Sequence, residues 1–201
     1  MRCAGQTCVA PQRVFVHASV LEEFSALCVE MGNTAKCGMA DEDANVGALI
    51  SQSAVRRMEE IVADAVAKGA KILCGGKRPE GKKGCYFLPT ILANVTSDMK
   101  AINEEIFGPI MSIIPYETEE QVIAMANNTQ YGLSSYVWST NYYEVSRIVK
   151  GLQFGVVNVN GPGTGPNYPH GGWKDSGIGA DGSCYSLDEY YCKKSIRVAL
   201  A

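Results

Sequence analysis

Short apolar runs with strand character alternate with segments of helical period along most of the 201-residue chain, and that alternation constrains the fold more than any single motif. Residues 12–17 carry Val14 and Val16 in period-two alternation around Phe15, a strand pattern. Ser19 and Glu22 have capping-box spacing ahead of Val20, Leu21, Phe24, Leu27, Cys28 and Met31, which recur at helical intervals. A helix is predicted over 53–68, with Val55, Met58, Ile61, Val62, Ala65 and Val66 on one face and Gly69 as its stop. Strands are predicted at 71–74, 90–95, 110–115, 133–138 and 155–160, and helices opening at Thr118 with Gln121 and at Asn141 with Glu144. The pattern predicts an α/β fold: a mostly parallel sheet with crossover helices on both faces. Residues 161–182 read as one long Gly- and Pro-rich loop, a length that usually signals function. Residues 195–200 read as a terminal strand, an edge that another subunit can pair with.

Charge is close to balance, at −3 from 18 basic and 21 acidic residues. No basic patch or charged tail appears, which argues against nucleic acid and anionic membrane as partners. Apolar runs fall short of the roughly 18 residues of a membrane helix, and the residues after Met1 show no secretory h-region. The eight cysteines are expected to be small apolar residues in a reducing cytoplasm rather than a disulfide framework. There is no Cys-x-x-Cys pair, and His17 and His170 lack metal-ligand spacing from any cysteine, so no metal site is expected.

Chemistry concentrates in three stretches. The first is Ala4-Gly5-Gln6-Thr7-Cys8, where a small polar turn can expose a thiol and aim backbone N–H groups at an oxyanion. The second is Asn103-Glu104-Glu105-Ile106-Phe107-Gly108-Pro109, in which a carboxylate could accept two hydrogen bonds from a vicinal diol. The third is Pro169-His170-Gly171-Gly172-Trp173-Lys174-Asp175-Ser176-Gly177. The plain alternatives are a buried structural cysteine, a solvated turn and a surface glycine loop. Further pieces follow in order: Pro89-Thr90, 128–134 with Tyr131-Gly132-Leu133, 155–160 ending at Asn160, and 185–190 followed by Lys193-Lys194.

In this order the pieces resemble the aldehyde dehydrogenase superfamily along the whole chain. The resemblance implies that Cys8 is the catalytic nucleophile, that Glu105 and Phe107 hold the nicotinamide ribose of NAD or NADP, and that Gln6, Thr7 and His170 border the substrate. Lys174 and Ser176 are expected to be anchors, and Asn160 a backbone tether. The chain is expected to be the catalytic portion, with a thiol-bearing domain over 1–182 and an oligomerisation segment over 183–201. The half that binds most of the dinucleotide, with the family's general base and oxyanion-hole Asn, is expected to lie elsewhere. The parent reaction would be oxidation of a small-molecule aldehyde to an acid through a cysteine thioester, in a homo-oligomer; the isolated chain is expected to be inactive. Two departures stand out: Cys3 occupies the region where the family has an Asn, and Gly47-Ala48 replaces a Gly-Pro. Gly177-Ile178-Gly179-Ala180-Asp181-Gly182 satisfies Gly-x-Gly-x-x-Gly but follows a loop, so turns rather than pyrophosphate binding are expected of it. Two other classes remain: a non-catalytic oligomerisation module, and a cysteine hydrolase pairing Cys8 with His17 or His170.

Overall fold

The computed structural model describes residues 2–161, 163 and 165–199. Contacts divide the chain into two compact units, Met1–Ala126 and Asn127–Ala201. The division falls at the end of a helix.

The first unit contains β1 (Arg13–His17), α1 (Leu21–Asn33), α2 (Gln52–Ala67), β2 (Lys71–Cys74), β3 (Thr90–Ala93), α3 (Lys100–Asn103), β4 (Ile110–Tyr116) and α4 (Glu119–Asn127). Its sheet runs β1-β4-β3-β2. β4 pairs in parallel with β1 on one side and β3 on the other, whereas β2 joins antiparallel at the edge. Alternation along β3 splits the core between two faces. Leu92 packs with the α2 residues Val55, Met58, Ile61, Val62 and Ala65. Ile91 joins Val16, Cys74 and Ile113 beneath Leu21, Phe24 and Cys28 of α1. Met58, Ile61 and Leu92 are fully buried, and each such side chain contributes about 1.5–3 kcal/mol. The α2–sheet seam is therefore the stronger one. The apolar stripe of α1 is incompletely covered: Leu27 and Met31 stay exposed, as does Val20 just before the helix.

Local chemistry explains the element ends. Ser51 caps α2 by accepting the Ala54 N–H at 3.1 Å, and Gly69, at φ +98°, ends it. The capping box expected at Ser19 does not form. A 3₁₀ turn, Ala18–Val20, intervenes, and the Ser19 N–H donates to Nδ1 of His17 instead. At α4 the expected pair works: Thr118 Oγ1 accepts from Gln121 N–H, and Gln121 Oε1 accepts from the Glu117 N–H.

The second unit contains β5 (Tyr131–Gly132), β6 (Ser134–Val137), α5 (Tyr142–Gly151), β7 (Val156–Val159) and β8 (Trp173–Lys174). β6 and β7 pair in parallel; β5 and β8 pair antiparallel. Asn141 caps α5 with its side-chain oxygen on the Tyr143 and Glu144 amides. The region expected to be one long loop is thus interrupted by β8. The terminal strand expected at 195–200 is not formed among the described residues: 191–199 join no ladder, with Ile196 and Val198 exposed, and Leu200 lies outside the description. Among the described residues no strand edge takes it up. Among the described residues no helix is long and apolar enough to cross a membrane.

Candidate active site

Cys8 sits second in a four-residue turn closed by the Ala10 N–H donating to the Thr7 carbonyl at 3.0 Å, and its side chain is exposed. Its backbone N–H has no partner among the described residues, leaving a donor free beside the thiol. The turn is launched by an unusual backbone. Cys3, Ala4 and Gly5 all have positive φ, at 48°, 52° and 76°. Left-handed backbone costs a non-glycine residue about 1–2 kcal/mol, so other contacts hold Cys3 and Ala4 there. Ala4 is buried in the α2-side core. The Gln6 amide is fully engaged: it donates to the carbonyls of Cys3 at 3.0 Å and Ala48 at 3.3 Å and accepts from the Ile50 N–H at 2.8 Å. Gln6, expected to border the substrate, therefore has its amide on backbone; Thr7 is half-buried beside it.

The segment 104–109 alternates. Glu105 and Phe107 face solvent while Ile106 is fully buried in the α2-side core. The Glu105 carboxylate has no hydrogen bond or ion pair among the described residues. Its backbone is clamped. The Arg57 guanidinium donates to the Glu105 carbonyl at 2.6 Å and pairs with Glu104 at 3.2 Å. The Ile106 N–H donates to Gln12 Oε1 at 2.8 Å. A free carboxylate beside an exposed ring, on a held backbone, fits a ribose diol and the face of a nucleoside.

Glycines bring the two loops together. A Cβ on Gly5 would overlap the carbonyl oxygen of Gly108, and one on Gly108 would overlap the Met58 sulfur. The thiol turn and the carboxylate loop therefore touch backbone to backbone against α2.

In the second unit, His170 and Asp181 form an isolated antiparallel bridge. Each donates its N–H to the other's carbonyl, at 2.8 and 2.7 Å, and His170 Nδ1 lies 2.9 Å from Asp181 Oδ1. Lys174 reaches the carbonyls of Asn127 at 2.8 Å and Thr129 at 3.1 Å. Ser176 Oγ accepts the Gly132 N–H at 2.9 Å. The Asn160 side chain bonds both the N–H and the carbonyl of Ser139, each at 3.0 Å. These three are anchors. His17 is engaged with Ser19 Oγ at 2.7 Å and packs edge-on against Tyr116, and no hydrogen bond joins it to Cys8. At the Gly-x-Gly-x-x-Gly stretch no α-helix opens. The Ala180 N–H donates to the Glu189 carboxylate at 3.1 Å, so an acid lies where a phosphate would have to approach.

All eight cysteines are free thiols. Burial pushes the Cys28, Cys37 and Cys74 thiols up from their ordinary range. Among the described residues no three His, Cys, Asp or Glu side chains gather as a metal site. Sequence reasoning missed Arg57 and Gln12; the paired Arg56-Arg57 on a helix was the available signal for the first, and nothing local marked the second.

The family model "Aldehyde dehydrogenase family" matches residues 1–196. Mitochondrial succinate-semialdehyde dehydrogenase of Mus musculus is 41% identical over 192 residues, covering 94% of this chain and 36% of its own length. 3-Sulfolactaldehyde dehydrogenase of Pseudomonas putida is 37% identical over 196 residues, covering 94% and 39%. Among solved structures, betaine aldehyde dehydrogenase of Staphylococcus aureus in complex with NAD+ superposes with a TM-score of 0.90 at 34% identity, covering 94% of this chain and 38% of that one. The chain spans about two-fifths or less of the length of these relatives. With the α/β fold and the match over nearly every residue, the chain belongs to the aldehyde dehydrogenase family.

Proposed function

We propose that the chain is the thiol-bearing portion of an enzyme that oxidises an aldehyde to a carboxylic acid, with Cys8 as nucleophile. The observation that carries this is the exposed Cys8 thiol beside its own N–H, which has no partner among the described residues, on a turn packed against the loop of Glu105. The Cys8 thiolate adds to the carbonyl carbon, and the oxyanion is met by the Cys8 N–H. Cys8 then holds the carbon through oxidation, as a hemithioacetal before and a thioester after; water releases the acid and regenerates the thiol. NAD or NADP supplies the hydride acceptor, with Glu105 and Phe107 holding its nicotinamide ribose. Gln6 shapes the thiol turn and Thr7 borders the substrate.

The relatives' names include aldehydes with a carboxylate, a sulfonate and a quaternary ammonium group. A small aldehyde with a polar tail suits this chain. The exposed segment 191–199, bearing Ile196 and Val198, supports assembly with further copies of the chain.

Brief iodoacetamide exposure followed by peptide mass spectrometry tests the nucleophile. Cys8 is expected to be modified first among the eight thiols. Modification of Cys8 after the half-buried thiols would overturn the assignment.

A further inference from the structure

We propose that Arg57 is a positioning residue for the coenzyme loop, setting the direction of the Glu105 carboxylate without touching the coenzyme. The inference rests on the reading of Glu105 as the ribose-binding group. Arg57 lies on α2, far from Glu105 in sequence, yet its guanidinium spans two consecutive residues. One nitrogen donates to the Glu105 carbonyl at 2.6 Å, and another pairs with the Glu104 carboxylate at 3.2 Å. A planar fork fixes orientation as well as distance.

Stability is a poor explanation for the contact. The Arg57 and Glu104 side chains are 44% and 39% exposed, and exposed pairs contribute about 0–1 kcal/mol. Orientation is the better one, because Glu105 has no side-chain partner among the described residues and is aimed by its backbone alone. The clamp continues along one stripe of α2. Asp64 Oδ2 accepts the Lys100 N–H at 2.8 Å, and Lys68 donates to the Asp98 carbonyl at 2.6 Å. From the other side Gln12 takes the Ile106 N–H at 2.8 Å. The whole segment 98–106 is thereby set by α2 and the lead into β1, with Arg57 at the end nearest the working carboxylate.

Titration of the ¹⁵N-labelled 201-residue chain with nicotinamide mononucleotide tests this, following the amides of Glu105 through Gly108. Wild type is expected to shift on addition, and Glu105→Gln to abolish the shift. Arg57→Ala is expected to weaken binding about tenfold with the melting temperature nearly unchanged, a split that a merely structural role would not produce. Arg57→Lys replaces the planar two-nitrogen fork by a single nitrogen, so it is expected to recover the ion pair and only part of the affinity. Wild-type affinity in Arg57→Ala or Arg57→Lys, with Glu105→Gln still defective, overturns the positioning role and leaves the coenzyme reading intact. No shift in wild type, or an unimpaired Glu105→Gln, overturns the coenzyme reading and the inference with it.

Discussion

Gly5 and Gly108 meet backbone to backbone, with no room for a side chain on the Gly5 side. Gly5 also holds φ at +76°. Gly5→Ala therefore meets a backbone oxygen and a left-handed strain at once. The expected loss is about 2 kcal/mol or more of unfolding free energy, with altered Cys8 labelling. Denaturant titration with near-ultraviolet circular dichroism checks it. A change below about 0.5 kcal/mol would show that the two loops are not locked together.

Thiol reactivity follows burial. Cys28, Cys37 and Cys74 are desolvated, which disfavours the thiolate and raises their pKa. Near neutral pH these three are expected to alkylate last. As pH rises, their labelling should accelerate only above the ordinary thiol value of about 8.5. Time-resolved labelling at several pH values reads this directly; Cys74 labelling as early as Cys192 at neutral pH would contradict it.

Much of the fold was legible because hydrophobic period is local information. The α2 face from Val55 to Ala65 and the alternation of Ile91 and Leu92 state their own partners. The Ser19 capping box failed because His17 captured the amide first, a competition between neighbours that spacing does not rank. β8 was hidden because two residues carry no period; its place is fixed by Lys174 and Ser176 reaching back to 127–132. At the site, Cys8, Glu105 and Phe107 stood out through their motifs. Arg57 and Gln12 did not, because a side chain that bonds a remote backbone group leaves no spacing signature.

Asp64 contributes to the acid limb of stability. Its carboxylate lies below the usual range because it accepts the Lys100 backbone N–H and then pairs with Lys68. A depressed folded-state pKa stabilises above the unfolded value, about 3.9 for Asp, and that stabilisation is lost as pH falls through the lowered value. Asp64→Asn keeps an oxygen for Lys100 but removes the charge. Its melting temperature is expected to fall less steeply than wild type's below about pH 4. Parallel curves for the two proteins between pH 5 and pH 2 would remove Asp64 from the account.

The chain spans about two-fifths or less of its relatives' length. On its own, the 201-residue chain is expected to produce no NADH from an aldehyde and NAD, or NADPH from NADP, above the rate of a Cys8→Ala control. Absorbance at about 340 nm, the reduced-nicotinamide band, follows either coenzyme. Steady production that disappears in Cys8→Ala would show that these residues alone suffice for turnover.

The tail supplies the last test. Residues 191–199 carry exposed Ile196 and Val198 in alternation with Ser195, Arg197 and Ala199, a strand pattern with no ladder among the described residues. Unpaired backbone of that pattern favours pairing with another edge. If the edge belongs to a second copy, light scattering on the full chain gives a mass above that of one chain, and truncation after residue 192 returns it to one. Truncation with no change in mass would assign self-association elsewhere. The exposed apolar residues Leu27 and Met31 of α1, with Val20 just before it, would then be the next surface to substitute.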